Sequence, residues 1–282
     1  MHINLAKSAG FCSGVKRALK IAYQTAQRSK GVEMLGDIVH NESVVKDIAK
    51  VDIKKVRRLA KGRSKTLLIR AHGAPKKIYM KAAQLGYTIV DATCPMVKEI
   101  HTLAARLEQE GYKVIVIGDK KHDEVRGIVG QLKNKAIVID GIKNIPSQKL
   151  KNIKRAAVVV QSTQNLEKVL KIVDILKTHI KDLTFCNTIC NPTKIKQEEI
   201  KHMPLKNDVM LIIGSKNSAN TKRLYEISCS LNPRSFWIQS KNQVKSSWFR
   251  NARSVGITAG ASTPHYTTGA VIEHVKKITS KK

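Results

Sequence analysis

The sequence predicts an α/β fold: three similar α/β units with small, mostly parallel sheets, set as a pseudo-threefold trefoil around one central site. Three observations predict it. Short β-branched runs alternate with helix-periodic stretches along the whole chain, the pattern of parallel strands joined by crossover helices. One arrangement of cysteine, helix, glycine turn and polar loop recurs three times at a fixed spacing. The third copy lacks the strand that leads out of the other two into a cysteine, and "HINLAKSAGFC" at the N-terminus supplies it if the chain ends meet.

The first unit, 13–94, opens on "GFCSGVKRA", in which Val15, Ala18, Leu19 and Ala22 recur at helical spacing. A helix therefore starts near Gly14 and leaves Cys12 just outside its N-terminus. Unpaired N–H groups and the positive end of the helix dipole there favour a thiolate over a thiol. Packing, a reactive thiolate and metal ligation all remain open for Cys12 at this point. The strands of the unit are "VEML", "TLLI" and "YTIV". The second unit, 95–186, repeats the opening as "DATCPMVKEIHTLA". Cys94 ends a strand, Pro95 takes the first helical position, and Val97, Ile100, Ala104 and Leu107 form the apolar stripe. "YKVIVI", "KAIVI", "AAVVV" and "LTF" are its strands. The third unit, 187–282 completed by the N-terminal strand 1–12, opens on "NTICNPTKIKQEEI" around Cys190 and continues through "VMLII", "SFWI" and "SVGI".

The units stay in step downstream. Twenty-four residues after Cys12, Cys94 and Cys190 come "GDIVH", "GDKKH" and "GSKNS", whose fifth residues are His40, His122 and Ser218. Each unit then has a strand ending in small polar residues before another helix: "IRAHGAP" with His72, "VVQSTQN" with Ser162 and "ITAGASTP" with Ser262. Parallel sheets place ligands at the carboxyl ends of their strands, where all these residues fall, so one central site is expected.

Composition narrows the function. No apolar run approaches the roughly 18 residues of a membrane span. The N-terminus has neither a signal peptide's apolar centre nor a transit peptide's Arg- and Ser-rich character, so a cytoplasmic protein is expected. Five cysteines (Cys12, Cys94, Cys186, Cys190 and Cys229) in a long unsecreted chain read as free thiols or metal ligands, not as a disulfide framework. The 52 Lys and Arg against 21 Asp and Glu give a net charge of +31, which suits an anionic partner or reflects a lysine-rich composition at large. Scattered lysines and only 4% aromatic residues count against nucleic acid. There is no G-x-G-x-x-G, P-loop, H-E-x-x-H or C-x-x-C.

Three thiolates at helix starts suit a soft metal centre, either zinc or an iron–sulfur cluster. A closed zinc site needs a fourth ligand, whereas a four-iron cluster on three cysteines leaves one iron open to a substrate. Cys186, four residues before Cys190, is a candidate fourth ligand, but the repeat argues against it because nothing matches it in the other units; it and Cys229 read as buried thiols. His40, His72, His122, Ser218, Asn220 and Ser262 lie in strand-end loops and together form a donor set for phosphate oxygens. Glu124, in "HDEVRG", stands in the same loops, and burial would raise its pKa enough for it to deliver a proton. Left exposed, it would simply open a helix.

"GFCSGVKRA", "VHNESVV", "AHG", "DATCPMV", "HDEVRGIVGQ", "TIC", "GSKNSAN" and "TAGAST", in this order over residues 10–264, closely resemble the family of 4-hydroxy-3-methylbut-2-enyl diphosphate reductases. That family performs the last step of the non-mevalonate (methylerythritol phosphate) route to isoprenoids. The resemblance implies one [4Fe–4S] cluster per subunit on Cys12, Cys94 and Cys190, its fourth iron taking the substrate hydroxyl, within a trefoil of three α/β domains. It implies that His40, His72, His122, Ser218, Asn220 and Ser262 hold the diphosphate, that Ser162 lies near the hydroxyl end, and that Glu124 is the proton source. The implied reaction is a reductive dehydroxylation, in which two electrons and two protons remove an allylic hydroxyl to give isopentenyl and dimethylallyl diphosphates. The chain departs from the family pattern with Ser162 for a usual threonine, Ala219 for serine, Arg70 for serine, Pro192 for alanine and Lys196 for arginine. None of these removes a ligand or the acid. The excess of Lys and Arg suits an acidic electron donor of the ferredoxin or flavodoxin type. Two rival readings are a nucleic-acid-binding protein with a structural metal and a redox-inactive zinc hydrolase. Salt-dependent nucleic-acid binding marks the first, and a colourless protein after anaerobic purification marks either.

Overall fold

Strands that are apolar at every position, not at alternate ones, must be covered on both faces, which selects a parallel sheet with helices on either side. A computed structural model of the chain describes residues 1–61 and 65–280. Residues 62–64 of the first expected unit and Lys281 and Lys282 of the third lie outside the described residues.

The chain begins with β1 (His2–Leu5), α1 (Ser13–Arg28), β2 (Val32–Leu35), α2 (Glu42–Ala49), β3 (Ile53–Val56), β4 (Thr66–Ile69), α3 (Lys76–Gln84) and β5 (Thr88–Asp91). Its middle carries α4 (Pro95–Gln109), β6 (Lys113–Ile117), α5 (Asp123–Val129), β7 (Ile137–Ile139), α6 (Ser147–Leu150), β8 (Arg155–Val160), α7 (Leu166–His179) and β9 (Asp182–Phe185). The last part adds α8 (Asn191–His202), β10 (Val209–Ile213), α9 (Ala219–Leu231), β11 (Ser235–Ile238), β12 (Ser254–Ala259) and α10 (His265–Thr279).

The strands form three four-stranded sheets in the orders β5-β4-β2-β3, β9-β8-β6-β7 and β1-β12-β10-β11, and every pairing is parallel. The three orders are one topology. In the third sheet the place of β5 and β9 is taken by the first strand of the chain, with His2 opposite Ser254 and Leu5 opposite Ile257. The chain divides into two compact units. One comprises Arg17–Ile38 and Ile48–Cys190 and contains the first two sheets; the other comprises Met1–Lys16, Val39–Asp47 and the described part of Asn191–Lys282 and contains the third.

Alternate residues of each strand serve opposite faces. In the second sheet Ile115, Ile117, Val158 and Val160 pack with Val169, Ile172, Val173 and Leu176 of α7. Val114, Val116, Ala157 and Val159 pack on the other face with Ile100, Ala104 and Leu107 of α4 and Val125 and Ile128 of α5. The stripe read on α4 is thus its buried face, with Cys94 as its N-cap residue and Pro95 in its first turn. In the third sheet Leu211, Ile213, Val255 and Ile257 meet Val271 and Val275 of α10, while Met210 and Ile212 meet Ile200 of α8 and Leu224 of α9.

One strand was not foreseen. "IKKV" forms β3, an outer strand that among the described residues pairs only with β2 and leaves Lys54 and Lys55 exposed. Lysine on an edge strand blocks pairing with other chains, and the same composition hides the strand from a reading based on apolar runs.

Candidate active site

The three repeat-matched cysteines have one local geometry. Each follows the outer strand of its sheet (β1, β5 or β9) and stands immediately before a helix (α1, α4 or α8). Each backbone N–H donates to a carbonyl in the loop after the neighbouring strand: Cys12 to Ala261 at 3.2 Å, Cys94 to Ala71 at 2.9 Å and Cys190 to Ser162 at 3.1 Å. The carbonyls of Cys12 and Cys94 accept the first helical bonds, from Lys16 and Lys98 at 3.0 Å. A thiol so placed has the orphan N–H groups of a helix start beside it, the setting that favours thiolate and metal ligation. None of the five cysteines is in a disulfide and all are half-buried, so Cys186 and Cys229 are not the buried thiols expected of them. Cys186 packs on the second sheet, where burial pushes its thiol pKa up, and Cys229 Sγ lies 3.9 Å from the Ser235 carbonyl.

In the unit of the first two sheets, Glu124 stands in the first turn of α5, capped by His122, whose Nδ1 accepts from Glu124 N at 3.2 Å. The side chain is 2% exposed. Its carboxylate takes both donors of Ser162, the backbone N–H at 2.6 Å and Oγ at 2.9 Å. Burial raises the Glu124 pKa to about 7, against the pull of the two Ser162 donors and with a smaller push from Asp119. Because the Ser162 carbonyl also holds the Cys190 amide, an acid, a hydroxyl residue and a candidate ligand are joined through Ser162. His72 and His122 meet edge to face, ring centroids 5.3 Å apart at 88°. With Nδ1 of His122 engaged as an acceptor, its proton resides on Nε2, a donor suited to an anion.

Three supporting contacts in this unit escape a reading of the sequence. Arg70 Nη1 pairs with Asp123 Oδ2 at 2.7 Å and so fixes the start of α5. Arg17 Nη1 donates to the carbonyl of Thr93, one residue before Cys94, at 3.0 Å. His101, buried on α4, packs where a Cβ on Gly73 or Gly127 would stand, tying the "AHG" loop and α5 to one side chain. Burial lowers its pKa to about 4.

In the other unit, Ser262 Oγ donates to the His40 carbonyl at 3.1 Å. Asn220 Oδ1 accepts from Ala261 N at 3.0 Å, and Ala261 is the residue whose carbonyl holds Cys12. Among the described residues, buried Asn220 Nδ2 has no hydrogen-bond partner, which leaves a donor available to a ligand. Ser218 caps α9 by accepting from Thr221 N at 3.3 Å. Lys196 of α8 is buried beside the same loop, its Nζ donating to the carbonyls of Ser8, Gly10 and Ala259. Burial lowers its pKa to about 8, while Cys12 and Glu199 act in the opposite direction. The donor chemistry fits the expected group: three equivalent cysteine seats suit an iron–sulfur cluster, and an unsatisfied buried amide suits a phosphate oxygen.

Comparison with known proteins identifies the family. The sequence model described as LytB protein matches residues 3–276. A 4-hydroxy-3-methylbut-2-enyl diphosphate reductase of Clostridioides difficile (strain 630) is 37% identical over 280 residues, 99% of this chain and 100% of the relative. The enzyme of that name from Aquifex aeolicus (strain VF5) is 40% identical, covering 98% of this chain and 95% of the relative. Among solved structures, (E)-4-hydroxy-3-methyl-but-2-enyl diphosphate reductase, described as the terminal enzyme of the non-mevalonate pathway, superposes with a TM-score of 0.72 at 38% identity over 98% of this chain and all of the other. The Plasmodium falciparum E-1-hydroxy-2-methyl-but-2-enyl-4-diphosphate reductase gives a TM-score of 0.87 at 25% identity, covering 98% of this chain and 88% of its own. The repeated cysteine seats, the buried acid and a likeness that runs the length of the chain together assign it: the chain belongs to the LytB protein family.

Proposed function

We propose that the chain is a 4-hydroxy-3-methylbut-2-enyl diphosphate reductase that removes the allylic hydroxyl with two electrons and two protons, giving isopentenyl or dimethylallyl diphosphate and water. The observation that carries this reading is the buried Glu124 carboxyl, poised near neutral pH and bonded to Ser162, whose carbonyl in turn holds Cys190. In this reading Cys12, Cys94 and Cys190 hold one [4Fe–4S] cluster per subunit. When bound, the cluster supplies the electrons and an iron free to take a substrate.

The residues of the chain do the rest. With a pKa raised to about 7, Glu124 keeps its proton in a large share of molecules at neutral pH, as a general acid needs, and Ser162 Oγ is the hydroxyl in contact with it. His40, His72, His122, Ser218, Asn220 and Ser262 bind the diphosphate; imidazole N–H, hydroxyl and amide groups are donors that a phosphate oxygen accepts. The recurrence of the cysteine pattern supports three repeats, 13–94, 95–186 and 187–282 with strand 1–12, serving this one site. Electrons come from an acidic carrier of the ferredoxin or flavodoxin type, for which the net charge of +31 is the support, and the enzyme works in the cytoplasm. Among the described residues no helix is long and apolar enough to cross a membrane.

The test is anaerobic purification with iron and sulfide analysis and visible absorption, followed by turnover of the allylic diphosphate under chemical reduction. Four irons per chain, a brown chromophore and both products are expected. A colourless, zinc-loaded protein would remove the reading.

A further inference from the structure

The reaction as described makes no use of a buried cation that lies beside the first cysteine. Lys196, 3% exposed, has three hydrogen-bond partners among the described residues, and all are backbone carbonyls: Ser8, Gly10 at 3.1 Å and Ala259 at 3.2 Å. Three converging acceptors match the three donors of an ammonium; a neutral amine has one too few. A buried charge without a bonded carboxylate is unfavourable unless something offsets it. Glu199, the nearest carboxylate acting on Lys196, is already taken: Oε1 accepts from Lys7 N at 2.6 Å, and Oε2 from Ser8 N at 3.0 Å and Ser8 Oγ at 2.5 Å. The other acid acting on the ammonium is Cys12.

The three carbonyls are informative by position. Ser8 and Gly10 belong to the loop between β1 and α1 that presents Cys12. Ala259 ends β12, two residues before Ala261, whose carbonyl receives the Cys12 amide. One ammonium therefore holds both walls of the Cys12 seat and leaves its charge within electrostatic reach of Cys12.

We infer that Lys196 is a positioning residue for the metal centre: it locks the seat of Cys12 and keeps a positive charge there that raises the reduction potential of the bound cluster. The inference rests on the reading of Cys12 as a cluster ligand. Its physical basis is that reduction adds one negative charge to the centre, so a fixed cation in a poorly screened interior stabilises the reduced form more than the oxidised one. Arginine keeps that charge but spreads it over a planar fork, so Lys196→Arg separates charge from geometry.

The experiment is a spectroscopic redox titration of the anaerobically loaded holoenzyme and of Lys196→Gln and Lys196→Arg, with iron content determined for each and melting recorded on the cluster-free proteins. Lys196→Gln, which retains an N–H donor but not the charge, is expected to shift the midpoint downward by at least about 59 mV, a tenfold change in a one-electron equilibrium. Lys196→Arg is expected to restore most of the shift. A loaded Lys196→Gln enzyme with the wild-type midpoint overturns the inference while leaving the cluster reading intact; a wild-type protein that binds no cluster overturns both. If Lys196→Gln melts before it can be loaded, amide exchange across residues 7–12 is compared between cluster-free wild type and Lys196→Gln below the variant's melting temperature. Faster exchange in the variant is expected of a loop that Lys196 clamps, and equal exchange overturns the inference.

Discussion

If Glu124 is the proton source, one buried carboxyl links stability to turnover. Its pKa of about 7 in the fold exceeds the ordinary 4.5, so the native state holds the proton more tightly than the unfolded chain does. The fold is therefore most favoured below pH 4.5 as far as this group is concerned, and that contribution is lost as pH rises through 7. Glu124→Gln abolishes the ionisation and is expected to stabilise the protein at pH 8 by up to about 3 kcal/mol, measured by denaturant unfolding. The same variant is expected to keep its cluster and lose turnover by roughly 10²–10⁴-fold. In the parent enzyme the rate should fall above pH 7, and Ser162→Ala, which removes a donor that lowers the Glu124 pKa, should move that fall to higher pH. His101 works in the opposite direction. Its pKa drops from 6.5 to about 4, so as pH falls from 6.5 towards 4 the unfolded chain takes up a proton that the native state refuses, and stability declines. His101→Leu should flatten that part of the stability–pH curve by up to about 3 kcal/mol, read from urea midpoints between pH 4 and 7.

At the level of elements, the strand-to-helix junction is where the proposed ligands sit. If equivalent seats mean equivalent roles, Cys12→Ser, Cys94→Ser and Cys190→Ser each lose bound iron and turnover, whereas Cys186→Ser and Cys229→Ser keep both. Iron analysis with a steady-state assay checks this, and full iron in any of the first three variants would sink the ligand set. These junctions were legible in the sequence because everything that defines them is local: an apolar run, a cysteine, a helix period, and a glycine turn 24 residues on. The contacts that support them were not. Lys196 reaches Ser8 across 188 positions and Arg70 reaches Asp123 across 53, and no periodicity records such pairings. Nor does a strand like β3, half lysine, announce itself before its partner β2 is in place. Glu124 lies between these cases. Its position in the repeat was readable, but its burial and its two bonds to Ser162 exist only in the folded chain.

For the molecule as a whole, a net charge of +31 predicts how electrons are delivered. The rate with an acidic protein donor should fall as salt rises, because long-range attraction is screened, while the rate with a small uncharged reductant should change little. Stopped-flow reduction across an ionic-strength series reads both. The placement of β1 carries a different consequence, one of timing. Its partner β12 lies about 250 positions further along, and so does the carbonyl that seats the Cys12 amide. A ribosome adding about 5–20 residues each second releases the first cysteine on the order of ten seconds or more before its seat has been made. Throughout that interval the most N-terminal thiol is bare to oxidants and to scavenging metal ions. If Cys12, Cys94 and Cys190 hold one cluster, its assembly has to wait until β12 and the loop after it have been made.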